Sequence, residues 1–380
     1  MSIGAEAEEM TPELDGRHET GILPCQALEA LIEDGAIEPG EPMIAGQVQP
    51  ASLDLRLGEV AYRVQASFLP GRGFTVDEKI DRFTMHAIDL REGAVLERGC
   101  VYIVPLLESL ELPERVSGIA NPKSSTGRLD VFTRLIVDNA VEFDRVGAGY
   151  AGPLFAEIAP RTFSILVRKG ARLNQLRLRR GHHAYSDAEL RRLHDRVPLV
   201  HAEPGSELIG GGGVGLTVDL EGRSGDRLIG YKARQHTALI DIERIAHYDP
   251  LEFWEPIYAR GDDGLILNPD DFYILASREA VTVPPDHAAE MVPYDTQMGE
   301  FRVHYAGFFD PGFGWAEAGA GTRAVLEVRS HDVPFLLEHG QIVGRLVYER
   351  LTDNPDRLYG QDIGSNYQRQ GLALAKQFRR

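Results

Sequence analysis

The run Asn121–Leu129, read as NPKSSTGRL, brings two hydroxyls, a glycine and two cations together: Lys123, Ser124, Ser125, Gly127 and Arg128. Hydroxyls and backbone N–H groups donate to phosphate oxygens, and arginine offers a planar fork for bidentate contact. The composition suits a polyphosphate, although a polar turn between strands would carry similar residues. A second cluster lies far along the chain, where His304, Ala306, Asp310, Pro311, Gly312 and Phe313 precede Val325-Leu326-Glu327-Val328. Glu327 sits in an apolar run, where burial raises a carboxyl pKa toward the range of a general base. A water-facing edge glutamate is the plainer reading. Asp310 before Pro-Gly also fits a turn, and His304 a hydrogen-bonded core histidine. The chain's end holds Tyr359, Asn366, Tyr367, Gln368, Gln370, Gly371 and Lys376. Such aromatic, amide and basic groups suit a segment folding over a ligand, or a solvated tail.

The elements that must position these groups are mostly short strands. Pro24 to Asp34 reads as a helix, with proline at its start, Leu28, Leu31 and Ile32 on one face and Gly35 after its end. Ser52 to Leu57 alternates strictly, which places its leucines on one side and its polar residues on the other. Val101–Val104, Phe163–Val167 and Leu173–Leu178 are further strands punctuated by Gly and Pro. Ser186-Asp187-Ala188-Glu189 forms a capping box opening a helix to about Arg196. Gly210 to Gly213 reads as a flexible joint or strand-entry turn, since it has neither phosphate-loop pattern.

The strand pattern occurs twice. Val95, Tyr102 and Pro113 answer to Ile266, Tyr273 and Pro284, each 171 positions on. Leu53-Asp54-Leu55 is matched with Val218-Asp219-Leu220, and Phe143-Asp144 and Glu157 with Phe309-Asp310 and Glu327. Two copies of one β domain are therefore expected: an acidic disordered tail over 1–20, then domains over 21–205 and 206–380. Where the first copy has Lys123, Ser124, Ser125 and Arg128, the second has Tyr294, Asp295, Thr296 and Gly299. The cationic chemistry is confined to the first copy.

The 380 residues are 43% hydrophobic and 26% charged, the balance of a soluble globular protein. The formal net charge of −18 argues against wrapping nucleic acid or coating an anionic membrane. Two cysteines, Cys25 and Cys100, exclude a disulfide framework and fit a reducing cytoplasm. No apolar run approaches the roughly 18 residues of a membrane span, and the first residues lack the regions of a signal peptide. A zinc deaminase would need H-x-E and P-C-x-x-C, and neither is present, nor is HExxH or GxSxG.

In these segments the chain resembles the dCTP deaminases, the zinc-independent branch of the dUTPase-like fold. Ile22–Gly58 with PASLDLRLG, then KSSTGRL, then VHYAGFFDPGFG, VLEV and YQRQG follow that family's order. The resemblance implies a mainly β protein of two tandem dUTPase-like β-barrel or jelly-roll domains with a few short helices. It implies hydrolytic deamination of dCTP to dUTP and ammonia, with Glu327 as base and acid. Lys123, Ser124, Ser125 and Arg128 would grip the triphosphate, His304 and Ala306 place water and ring, and Asp310 lie beside the sugar. Tyr359, Tyr367 and Gln370 would close over the nucleotide. Mg²⁺ would arrive with the triphosphate, and no zinc is expected. Family sites lie between subunits, so a homo-oligomer with sites between domains is expected, and dTTP is a candidate feedback inhibitor. The family's motifs normally share one domain; here they are divided, so a composite site is expected. The rival site belongs to copy one alone, with Glu157 as base. Asn366 stands where the family often has a phosphate-contacting lysine. Rival functions are a dUTPase, a bifunctional deaminase/dUTPase, and a non-catalytic nucleotide-binding protein.

Overall fold

The computed structural model describes residues 18–203, 206–222, 227–261, 264–293, 301–304, 307–315, 320–330, 332–360 and 371–380, with the backbone alone for 293 and 301–304. The protein is mainly β. In the first half, helix α1 (Cys25–Glu33) starts after Pro24, buries Cys25 and Leu28, and is followed by Gly35 at φ +75°. That left-handed residue is the usual helix stop, because glycine has no Cβ to clash there.

Two large antiparallel sheets follow. One runs Arg145–Val146, Val116–Pro122, Asn174–Arg180, Ser52–Leu55, Val48–Gln49. The other runs Val131–Val137, Ala151–Pro160, Val101–Glu111, Val60–Val64, Thr84–Asp89. The second half repeats both orders. Its sheets run Phe308–Phe309, His287–Pro293, Ile342–Arg350, Gly213–Thr217, Ile209–Gly210, and Phe301–His304, Thr322–Ser330, Phe272–Val281, Leu228–Ala233, Trp254–Tyr258. Leu53, Leu55, Leu176 and Leu178 of one first-half sheet pack on Leu135, Leu154 and Leu110 of the other. In the second half, Leu216 and Leu346 meet Leu275 and Leu326. Among the described residues each large sheet is open at both ends, so each half is a pair of facing sheets rather than a closed barrel.

The register revises one detail of the repeat. Leu55 pairs with Asn174 and Leu216 with Gly344, so Gly213–Thr217 is the counterpart of Ser52–Leu55. Both strands end alike: Glu108 accepts from the Arg56 amide and Glu279 from the Thr217 amide. The Val218-Asp219-Leu220 match fell a few residues late because the second copy has small glycines in place of the leucine–polar alternation. Gly210 to Gly213 is no joint between domains. It is a two-residue hairpin in which Gly211 and Gly212 take φ +63° and +76°, and both amides donate to Asp187. That turn requires two left-handed residues, which glycine supplies.

The capping-box helix α2 (Asp187–Arg196) forms as expected, with Ser186 and Glu189 exchanging hydrogen bonds. Its Leu190 and Leu193 pack into the second core. The expected tail lies outside the described residues up to residue 17, but His18 and Thr20 are held by Thr352 and Arg350 of the second copy.

The copies share one apolar core. Phe163 and Ile158 of the first pack with Trp254, Phe253, Ile274 and Val325 of the second, and with Phe378 from the chain's end. Burying an aromatic ring of this kind contributes roughly 1.5–3 kcal/mol. The segment 371–380 is further tied by Gln377, whose side-chain amide donates to the Ile242 carbonyl at 2.7 Å. This docking carries Lys376 and Ala373 back onto the first copy.

Candidate active site at the junction of the two copies

The run Asn121–Leu129 leaves the strand Val116–Pro122 and makes a single helical turn, Ser124–Gly127, before the strand Val131–Val137. Lys123, Ser124, Ser125 and Arg128 line a cavity of about 330 Å³ with Asp310, Glu327 and Tyr359 of the second copy. Residues read from two distant stretches therefore meet in one place. Arg128 Nε lies 3.6 Å from Glu327 Oε1, and Arg128 Nη1 donates to the Ala373 carbonyl at 3.1 Å.

Glu327 is buried in the middle of the strand Thr322–Ser330, opposite Ile274 and His304. Burial pushes its carboxyl up to about 7, against the opposing charge of Arg128. A carboxyl group poised there can take and return a proton near neutral pH. Asp310 is also raised by burial, opposed by the Arg177 guanidinium at 3.1 Å. Arg177 comes from the first copy and is fully buried, its guanidinium 4.0 Å above the Phe308 ring. It also donates to the Ala289 carbonyl at 3.0 Å. This side chain fixes the Asp310 turn, where Gly312 adopts φ +91° against Tyr359.

The opposite wall is cationic. Lys123 contacts Asp54, and Arg172 lies 3.3 Å from the same carboxylate. Lys376 lines this wall, and burial holds its ammonium below the usual lysine range, helped by the charges of Lys123 and Arg172. Phe308, Phe309, Phe313, Met291 and Val325 supply the apolar part. Sequence reasoning missed Arg172, Arg177 and Asp54 as site residues. For Asp54 and Arg177 the signal was the polar side of the strands Ser52–Leu57 and Leu173–Leu178, which is buried here rather than in water, whereas the half-buried Arg172 just ahead of the second strand carried no such signal.

Glu157 lies elsewhere. It is the counterpart of Glu327, opposite Ile103 and Arg134 as Glu327 is opposite Ile274 and His304. Arg134 Nε donates to Glu157 Oε1 at 3.0 Å, and its guanidinium lies 3.4 Å from the Phe143 ring centroid. The place facing this glutamate is thus filled by the protein's own arginine. His304 is set opposite Glu327 by backbone register. Ala306, Tyr367 and Gln370 lie outside the described residues, as do Tyr294, Asp295, Thr296 and Gly299.

The profile of the 2'-deoxycytidine 5'-triphosphate deaminase N-terminal domain matches residues 19–182, and that of its C-terminal domain residues 186–378. The chain belongs to the dCTP deaminase family. Within that family it is similar to the crystal structure of 2'-deoxycytidine 5'-triphosphate deaminase from Agrobacterium tumefaciens. The two are 58% identical with a TM-score of 0.84, covering 88% of this chain and 100% of the other. A "dCTP deaminase, dUMP-forming" of Pseudarthrobacter chlorophenolicus is 31% identical over 139 residues, covering 35% of this chain and 70% of that protein. A protein of the same name from Halobacterium salinarum is 35% identical over 129 residues, covering 33% of this chain and 62% of its own length.

Proposed function

We propose that this dCTP deaminase family member hydrolyses dCTP to dUTP and ammonia at the junction of its two copies. The observation that carries the reading is a buried Glu327, with its carboxyl near 7, in one cavity with the Lys123–Arg128 clamp. Glu327 takes a proton from water as the oxygen bonds to C4 of cytosine. Glu327 then passes that proton to N3, takes a second from the new C4 hydroxyl and delivers it to N4, and the C4–N4 bond breaks to release ammonia and leave the C4 carbonyl of dUTP. One carboxyl serves both transfers where bulk solvent is excluded.

Lys123, Ser124, Ser125 and Arg128 hold the triphosphate, which enters with its own Mg²⁺. Arg172 and Lys376 add two cations, so Lys376 makes good the lysine missing at Asn366. Asp310, steadied by Arg177, meets the sugar, and the aromatic wall of Phe308, Phe313 and Tyr359 meets the apolar faces of base and ribose. His304 and Ala306 place the water and ring, and Tyr367 and Gln370 complete the cover. Each copy is read as a dUTPase-like jelly-roll unit. The protein acts in the cytoplasm as a homo-oligomer, with dTTP as candidate inhibitor.

The names of the relatives favour a second reading, in which dUTP is cut onward to dUMP and pyrophosphate. Measuring ammonia and pyrophosphate together from dCTP tests both. Ammonia alone supports the deaminase, equal amounts of the two support the dUMP-forming reading, and tight dCTP binding with neither product overturns both.

A further inference from the structure

A second cavity of about 400 Å³ lies away from the site described, where the connector between the copies meets α2 and the strand Ile342–Arg350. It is lined by Arg192, Arg196, Arg350, His183, Tyr185 and His287, with His18, Asp286, Glu189 and Leu193 at its sides. Cations dominate this spot in a chain whose net charge is −18. Glu189, Arg192, Leu193 and Arg196 recur at three- and four-residue spacing, so one face of α2 turns toward the cavity.

Both carboxylates are already occupied. Glu189 accepts from the Ser186 amide at 2.8 Å and its hydroxyl at 2.6 Å, closing the helix cap. Asp286 Oδ1 lies 2.6 Å from His287 Nδ1, and His287 Nε2 lies 2.8 Å from the Tyr185 hydroxyl. Arg350 is held by Thr20. Neither Arg192 nor Arg196 donates a hydrogen bond to a described residue. The buried imidazole and its two partners fix the wall, while the exposed Arg192 and Arg196 guanidiniums form no close ion pair among the described residues and act on Glu189 and Asp286 only at longer range. Tyr185 is pushed up to about 12 by burial, so its hydroxyl is a neutral donor and the chain Asp286–His287–Tyr185 is a binding wall rather than a nucleophile.

We propose that this cavity binds a phosphate-bearing anion at the junction of the two copies. Its size falls in the range of small-ligand pockets, roughly 300–1,000 Å³, and the paired guanidiniums match phosphate oxygens. A bare polyphosphate and a nucleotide share that chemistry.

The test titrates the full-length protein with inorganic pyrophosphate and, separately, with adenosine diphosphate, and repeats each with Arg192→Ala/Arg196→Ala. Pyrophosphate also suits the Lys123–Arg128 clamp, so both proteins are measured again with Arg128→Ala added. In the Arg128→Ala background, binding should persist and weaken at least about tenfold on loss of the two α2 arginines. Tighter binding of adenosine diphosphate than of pyrophosphate identifies a nucleotide; equal binding identifies the bare anion. Unchanged isotherms on loss of Arg192 and Arg196, or no binding of either probe in the Arg128→Ala background, overturn the proposal. Should the alanine variant unfold, Arg192→Gln/Arg196→Gln keeps the side-chain bulk and answers the same question.

Discussion

Arg128 of the first copy and Glu327 of the second face each other across the copy junction, with Nε and Oε1 3.6 Å apart. The pair joins the phosphate clamp to the proposed base. Both are buried, so their charges act on each other with little screening from water. Neither half of the chain holds both groups.

Replacing Glu327 by Gln removes the proton carrier and keeps the shape. Ammonia release from dCTP should fall by about 10²–10⁴-fold, while the dissociation constant for dCTP stays within a fewfold. A coupled ammonia assay and calorimetry on the same preparation check both. Full activity in Glu327→Gln would remove it from the mechanism.

The counterpart substitution should behave differently. Glu157→Gln leaves Arg134 beside a neutral amide, and the lost ion pair costs up to about 3–5 kcal/mol, less here because Arg134 keeps some contact with water. The melting temperature should drop by several degrees and kcat should hold within twofold. A dead but stable Glu157→Gln would restore the rival base.

The pH dependence follows from the raised Glu327 carboxyl. Its folded value of about 7 lies above the ordinary 4.5, so the base form dominates only above neutrality and kcat/KM should climb through pH 7 to a plateau. Arg128→Ala removes a charge that favours the carboxylate, and the climb should move to higher pH. Stability runs the other way. A raised carboxyl favours the fold fully below about 4.5, and this is lost as pH rises through 7. Glu327→Gln should therefore melt higher than the parent at pH 8, by up to about 3 kcal/mol of stability, and match it near pH 4. Thermal melts across this range read the difference directly.

Lys376 tests the return of the C-terminus. Lys376→Ala should raise KM for dCTP by about tenfold, the scale of one charged hydrogen bond, and change kcat by less than twofold. Arg172→Ala should act in the same direction. If both variants keep the parent KM, the cationic wall serves the fold and not the triphosphate.

Much of the fold was legible because its signals are local. Strand alternation, the Ser186–Glu189 capping box and the Pro24 helix start depend on neighbours in sequence, the 171-residue repeat needs only one half of the sequence laid against the other, and all have their elements in the structure. The repeat also shows that Lys123 and Arg128 have no cationic counterparts in the second copy, where Tyr294 and Gly299 stand. Glycine-rich segments were less legible. In Gly210–Gly213 a joint and a tight hairpin share one composition, and only the pairing of Ile209 with Val214 separates them.

The sequence by itself determined that this chain has two related β units, that the Lys123 and Arg128 cations proposed for phosphate lie in the first, and which carboxylates were candidates for the chemistry. Tertiary structure gave Glu157 and Glu327 different surroundings, which is what favours Glu327 in the proposal. Both occupy equivalent places on equivalent strands, so no local pattern distinguishes them. The difference is what faces each one: Arg134 and Phe143 fill the space at Glu157, whereas Arg128 and the cavity meet Glu327. Burial, charge and access at a carboxyl group are set by side chains from other strands and from the other copy, and those neighbours exist only once the chain has folded.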